Sequence, residues 1–276
     1  MGFAVIGDRG MFGAEMVELL TSQTGEVTGF NRDSMDLAAS LDELAQQLQN
    51  FEVIINAVAY TAVDKAESEA ELANLVNGEY AGKLARVAQT VGSKFLHIST
   101  DYVFDGSATS PYPTTAPTNP QSAYGSSKLL GENLVADSGA NYTIFRTAWL
   151  YGKHGACFPK VMFEKASKNH PLKVVDDQFG QPTWARDLAQ QVLAFAELAD
   201  APRIVHAVSS GKTTWHEFAQ EIVGNYPIEA VSSSEFVTAA KRPSFSVLDN
   251  SSNQVTPIGD WRERWQFAKS EVLESN

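Results

Sequence analysis

Through its first 150 residues the chain alternates short apolar runs with stretches of helical spacing, and this alternation constrains the fold more than any other feature. Phe3–Ile6, Val27–Phe30, Val53–Asn56, Phe95–Ser99 and Thr143–Arg146 read as strands. Met11–Leu20, Leu41–Leu48, Ala66–Ala73, Tyr80–Thr90 and Ser126–Leu134 read as the helices between and beside them. Such a succession is the pattern of βαβ units, which pack into a parallel sheet with helices on its faces. Asp105–Ser122, rich in Pro, Thr, Ser and Gly, interrupts the pattern and reads as a surface loop.

Beyond Trp149 the regularity fades. Phe158–Ala166, Asp187–Leu198, Trp215–Val223 and Trp261–Val272 have helical spacing, while Leu172–Val175 and Ile204–Val208 read as strands. The expected fold class is α/β: a Rossmann-type doubly wound parallel sheet with a smaller C-terminal α/β substrate domain. The large domain is expected over residues 1–150, with 178–202 returning to it, and the smaller one from 151–177 and 203–276.

Composition narrows the function. A formal net charge of −12 opposes general attraction to nucleic acid or to acidic lipid. No apolar run approaches the about 18 uninterrupted residues of a membrane-spanning helix. Met1–Ile6 leads straight into a strand without the regions of a signal peptide. Cys157 is the single cysteine and has no internal disulfide partner, so a reducing, cytoplasmic location is expected.

Gly7-Asp8-Arg9-Gly10-Met11-Phe12-Gly13 joins the first strand to the first helix. Glycines at such a turn permit close approach of backbone to a pyrophosphate, and the helix N-terminus offers it unpaired amides. The spacing G-x-x-G-x-x-G differs from the commonest dinucleotide fingerprint, so its position after the first strand carries the inference. The second strand ends in Gly29-Phe30-Asn31-Arg32. An acidic residue there would favour NAD, whereas Asn31 and Arg32 suit the 2′-phosphate of NADP. NADPH is the expected cofactor, with NADH as a second option because Asp33 is adjacent.

Tyr124 and Lys128 stand four residues apart, which on a helix puts them on one face. A free tyrosine, with a pKa near ~10, is a poor acid–base group at neutral pH, and a neighbouring ammonium is expected to bring it down. Thr100 ends the fourth strand at the carboxyl edge of the sheet, where its hydroxyl can meet a carbonyl oxygen gaining charge. The chemistry this set implies is hydride transfer with Tyr124 as proton donor and Thr100 as oxyanion contact, Lys128 tuning Tyr124 and holding the nicotinamide ribose, so that Tyr124 and Lys128 also count among the cofactor-binding residues.

Several runs then carry a resemblance. They are Asn56–Glu67, Ser99–Gly106, Tyr124–Glu132, Phe145–Gly152, Asp177–Thr183 and Arg242–Asp249. Together they resemble the extended short-chain dehydrogenase/reductase family, and within it the dTDP-4-dehydrorhamnose reductases, over nearly the whole chain. The resemblance implies that Gly10, Met11 and Phe12 cover the cofactor pyrophosphate, with Asp36 and Leu37 near the adenine and Ala57, Val58 and Ala59 beside the cofactor. It places Val63, Thr100 and Asp101 at the sugar and Trp149 against the substrate. The implied reaction is reduction of dTDP-4-dehydro-L-rhamnose to dTDP-L-rhamnose by a monomer or homodimer. Arg242 is expected to neutralise the diphosphate of the nucleotide sugar.

One departure is Asn250-Ser251-Ser252, where such sequences often carry a lysine. Glu15 falls where some members use glutamates to hold Mg²⁺, but no metal is expected here. Two other functions remain open on this fold. An epimerase or dehydratase would retain NAD, although Tyr102 after Asp101 lacks the acidic residue that dehydratases usually add. A non-catalytic regulatory subunit of methionine adenosyltransferase would bind nucleotide without needing the Thr100, Tyr124 and Lys128 set. His97 reads as a packed core residue, and Cys157 as structural.

Overall fold

The structure, a computed structural model, describes residues 1–23, 25–251 and 254–274. Five strands, β1 (Phe3–Ile6), β2 (Val27–Phe30), β3 (Val53–Asn56), β4 (Lys94–Thr100) and β5 (Asn141–Thr147), join Ile204–His206 in one sheet. All pairings within it are parallel. From one edge the order is Ile204–His206, β5, β4, β3, β1, β2. The reversal of strand order falls between β1 and β3, and ligands of open α/β sheets bind in the crevice above such a point. Beyond β2 there is one strand fewer than in the 3-2-1-4-5-6 order of many dinucleotide folds.

β1 and β3, buried at every position, are near-continuous apolar runs because both faces of the sheet are covered there. Phe3, Val5, Val53, Ile55, Leu96 and Phe145 pack under the helices Met11–Gln23 and Ala185–Ala196. Their alternates Ala4, Ile6, Ile54, Phe95 and Ile144 face the helices Leu41–Leu48 and Tyr80–Val91. A separate aromatic core of Tyr151, Trp184, Phe218, Trp261 and Trp265 lies with the helices Phe158–Ser167, Trp215–Val223 and Trp261–Glu274. Leu172–Val175 pairs in parallel with Ile228–Val231, a strand the sequence reading missed.

One boundary needs correction. Ile204–Val208 was expected in the smaller domain, yet Ile204–His206 pairs with Ile144–Arg146 and so extends the large sheet. Val205 and Ala207 are buried in the same core as β5, and that burial sets the register. The return of the chain to the large sheet therefore runs past residue 202.

The helix Ala123–Ala136 begins earlier than apolar spacing suggests, because Ser122 caps it by accepting from the Gly125 amide at 3.1 Å. It packs against a π-helical segment, Asn74–Glu79, which runs on into Tyr80–Val91. Close approach depends on missing side chains: a Cβ on Gly131 would lie 2.2 Å from the Asn77 carbonyl oxygen. Among the described residues no helix is long and apolar enough to cross a membrane.

Candidate active site

Thr100 is the last residue of β4 and caps the short turn Asp101–Val103, its hydroxyl accepting from the Tyr102 amide at 3.2 Å. The same hydroxyl donates to Asp101 Oδ1 at 3.0 Å. Tyr124 is in the first turn of Ala123–Ala136, with the Thr100 hydroxyl near enough to oppose the rise of its phenol. Its ring meets Tyr102 edge to face at 5.5 Å. Lys128, one turn on, is 2% exposed and donates to the Ile98 carbonyl at 2.6 Å. Strand end and helix therefore bring Thr100, Tyr124 and Lys128 to one edge of the sheet.

The electrostatics differ from expectation in one respect. Burial pushes the Tyr124 phenol up to about 12; the Thr100 hydrogen bond opposes this and the Asp101 charge adds to it. Lys128 is not among the groups that set this balance; burial dominates it. Burial also lowers Lys128 to about 8, opposed by the Glu132 carboxylate. Asp101, 2% exposed, rises to about 6, again through burial. Tyr102 is pushed upward by burial and by Asp101.

Behind this set lies an apparatus the sequence reading missed. Asn77 has no exposed surface and sits in the π-helical segment. Its Nδ2 donates to Tyr60 O at 3.1 Å and to Ser127 Oγ at 2.9 Å, and its Oδ1 accepts from the Tyr60 amide at 2.7 Å. Ser127 in turn donates to Tyr124 O. Asn77 thus ties the loop after β3 to the helix carrying Tyr124 and Lys128. Apolar periodicity carries no mark of a π-bulge, though such bulges frequent functional sites.

The glycine loop leaves its backbone bare on one side. Gly7 has φ +95°, and a Cβ on Gly13 would lie 2.1 Å from Gly7 O, so helix and loop touch only because both are bare. A Cβ on Gly10 would meet nothing nearer than Gly7 O at 3.4 Å, which leaves that side of the loop open. Met11 and Phe12 open the following helix. Ala57, Val58 and Ala59 follow β3, and the Val58 amide donates to Asn56 Oδ1 at 3.1 Å. Asn31 donates to Asp8 Oδ2 at 3.2 Å, and Arg32 is exposed in the turn after β2. Arg9, across from them, pairs with Asp33 at 2.6 Å. Asp36 is exposed and Leu37 half-buried, and the adjoining loop is held by Lys83, which donates to the Leu37, Ala38 and Ala39 carbonyls. These features fit a nicotinamide dinucleotide lying along the carboxyl edge from β2 to β4.

Trp149 adopts φ +45°, a left-handed conformation that costs a bulky residue energy. Its indole stacks on Trp215 at 3.6 Å and 9°. Gly180 admits it: a Cβ there would lie 2.4 Å from Trp149 Cε2. Val63 begins a short helix after the β3 loop. Arg242 Nη2 donates to Asp64 Oδ2 at 2.7 Å, and the segment after it docks on Gly106, whose carbonyl accepts from Phe245 N at 3.1 Å.

The remaining residues behave as packing or charge balance. His97 is buried, with Nδ1 3.1 Å from Asn56 Nδ2, and burial holds it well below its usual range. Cys157 is buried and free. Glu15, Glu18 and His154 come within reach of a common point. Arg186 donates to Glu15 at 3.2 Å and Lys153 bonds Glu18, so cations of the chain itself already occupy this cluster. Of Asn250-Ser251-Ser252, Asn250 donates to Val208 O at 2.8 Å, and Ser252 lies outside the described residues.

Residues 1–275 match the RmlD substrate binding domain family. A dTDP-4-dehydrorhamnose reductase of Burkholderia thailandensis is 38% identical, covering 95% of this chain and 96% of the relative. A dTDP-4-keto-6-deoxy-D-glucose reductase of Streptomyces niveus is 37% identical, covering 93% and 92%. The crystal structure of dTDP-4-dehydrorhamnose reductase from Bacillus anthracis in complex with NADP superposes with a TM-score of 0.93 at 31% identity, covering 98% of this chain and 100% of that one.

Proposed function

The chain belongs to the RmlD substrate binding domain family, and on that premise we propose that it reduces dTDP-4-dehydro-L-rhamnose to dTDP-L-rhamnose with NADPH. The observation that carries the reading is the meeting of the Thr100 and Tyr124 side chains, one helical turn from a buried Lys128, at the carboxyl edge of the sheet. NADPH suits the bare Gly7–Gly13 loop, and Asn31 and Arg32 suit its 2′-phosphate.

When bound, the dinucleotide supplies a hydride to C4 of the sugar. Thr100 and Tyr124 hydrogen-bond the C4 carbonyl oxygen, which gains negative charge as the hydride arrives. With its phenol near 12, Tyr124 is protonated at neutral pH and donates that proton to the nascent alkoxide. Lys128, still largely an ammonium at neutral pH, stabilises the resulting phenolate until solvent reprotonates it. Asp101 and Val63 border the sugar, Trp149 covers its face, and Arg242 faces the diphosphate. Every side chain in this account comes from one chain, so a monomer or a homodimer can work. A cytoplasmic location agrees with the cofactor and with the free Cys157 thiol.

The experiment mixes dTDP-glucose with the upstream dehydratase and epimerase, this protein and NADPH, and follows the reduced-nicotinamide absorbance and the sugar product. Formation of dTDP-L-rhamnose that requires the epimerase supports the reading. The similarity to a dTDP-4-keto-6-deoxy-D-glucose reductase favours one second reading. Equal turnover without the epimerase would establish it instead.

A further inference from the structure

Arg242 is the cation expected at the diphosphate, yet it does not stand alone. Asp64 Oδ2 accepts from Arg242 Nη2 at 2.7 Å, while Asp64 Oδ1 accepts from the Ala240 amide at 3.1 Å. One carboxylate thus grips both the guanidinium and the backbone two residues before it. Asp64 lies in Val63–Ala66, directly after the loop that follows β3, whereas Arg242 lies 178 residues away in sequence. Tyr102, beside Thr100, is near enough to Arg242 for the guanidinium to oppose the rise of its phenol.

Two observations argue that this contact serves a ligand. The first is its exposure: Asp64 is 45% and Arg242 22% exposed, and pairs this open to water add little to stability. The second is what the grip leaves unused. Arg242 Nη1 is shielded from solvent yet has no acceptor among the described residues. A buried donor without a partner is costly and calls for an explanation. Arg242 also lines a small cleft with Tyr102, Asp105, Gln121, Ser122 and Lys241, where Lys241 is a second, exposed cation set against the one carboxylate. An anionic oxygen entering that cleft supplies the missing acceptor.

We infer that Asp64 is a positioning residue for diphosphate recognition: it fixes Arg242 through Nη2 so that Nη1 is aimed in advance at a phosphate oxygen of the nucleotide sugar. The inference rests on the reductase reading for the identity of the ligand. A flexible arginine must be ordered when ligand binds, and Asp64 removes that cost beforehand. The carboxylate tempers the local positive charge without displacing the phosphate, because it occupies one edge of the guanidinium and leaves the other.

The test uses the full chain loaded with NADPH and dTDP itself as the probe, titrated calorimetrically. Steady-state reduction is measured in parallel on wild type, Asp64→Ala, Asp64→Asn, Arg242→Ala and the double alanine variant. Loss of a charge-assisted hydrogen bond predicts that Asp64→Ala and Arg242→Ala each weaken dTDP binding about tenfold or more. The double variant should bind no more weakly than Arg242→Ala, since Asp64 acts through the arginine. Asp64→Asn retains an acceptor and should lie between wild type and Asp64→Ala. KM for the nucleotide sugar should rise while kcat and NADPH affinity stay within about twofold, a split that uniform loss of binding produces. Additive losses, wild-type dTDP affinity in Asp64→Ala, no dTDP binding by wild type, or a parallel fall in kcat and NADPH affinity would each overturn the inference. If the binding pattern holds while wild type reduces no dTDP-keto sugar, the reductase reading fails and the Asp64 assignment stands.

Discussion

Glu132 and Arg146 face each other inside the protein, Arg146 Nη2 donating to Glu132 Oε2 at 2.7 Å and Nε to Oε1 at 3.0 Å, with both side chains at most 4% exposed. Ser99 completes the set by donating to Glu132 Oε1 at 2.5 Å. Glu132 lies one turn beyond Lys128 on the same helix, and Ser99 immediately precedes Thr100, so the pair joins the two elements that carry the candidate catalytic groups. Removing one partner of a buried pair leaves an uncompensated charge, so Arg146→Met should lose ~3–5 kcal/mol in urea unfolding. The double variant Arg146→Met/Glu132→Leu should lose less than Arg146→Met alone. A double variant that loses the sum of the single losses would contradict this.

The reaction should slow in alkali for a defined reason. Burial lowers Lys128 to about 8, and in the proposed mechanism only its ammonium form steadies the phenolate, so kcat should fall as pH rises through about 8. The effect on folding has the opposite sign. An unfolded lysine keeps its proton up to ~10.4, so between that value and the folded one the unfolded chain binds more protons. The contribution of Lys128 to stability therefore improves as pH rises across that window, and the loss of rate is not unfolding. A kcat profile with circular dichroism recorded at each pH checks both statements.

Two glycines of the phosphate loop should fail differently. A Cβ on Gly13 would collide with Gly7 O, so Gly13→Ala should destabilise the fold by ~1–3 kcal/mol, as overpacking does. A Cβ on Gly10 meets only Gly7 O at 3.4 Å and points into open space. Gly10→Ala should melt close to wild type yet bind NADPH about tenfold or more weakly, because in the proposed binding mode the methyl group takes the place of a pyrophosphate oxygen. Thermal melts and NADPH fluorescence titrations separate the two outcomes.

Trp149 should show a cost and a use. Its φ of +45° is favourable only for glycine, so Trp149→Gly should be more stable than Trp149→Ala by ~1 kcal/mol. Both variants should raise KM for the nucleotide sugar, since the wall stacked on Trp215 is gone, while NADPH affinity is unchanged.

The strands β1 and β3 have the boundaries that apolar runs predict, because buried parallel strands leave a continuous hydrophobic trace. Tyr124, Lys128 and Thr100 were legible because helical spacing and a strand end fix where their backbones must be. What escaped depended on contacts between distant segments. Asn77 reaches Ser127 through a π-bulge, and Asp64 meets Arg242 across 178 residues. Ile204–His206 reads like any short apolar run until its pairing with β5 is seen. The direction of the Tyr124 shift was misjudged for a related reason: spacing shows that Lys128 is near, but not how thoroughly the phenol is removed from water.

The most direct test of the central claim is the rate of NADPH oxidation by Tyr124→Phe on enzymatically generated dTDP-4-dehydro-L-rhamnose. The ring remains and only the hydroxyl that meets Thr100 is lost, so the variant should fold and bind NADPH as wild type does. Its kcat should drop by about 10²–10⁴, the usual contribution of a positioned proton donor. A variant that reduces the sugar at the wild-type rate would show that the proton comes from elsewhere and that this edge of the sheet is not the reaction centre.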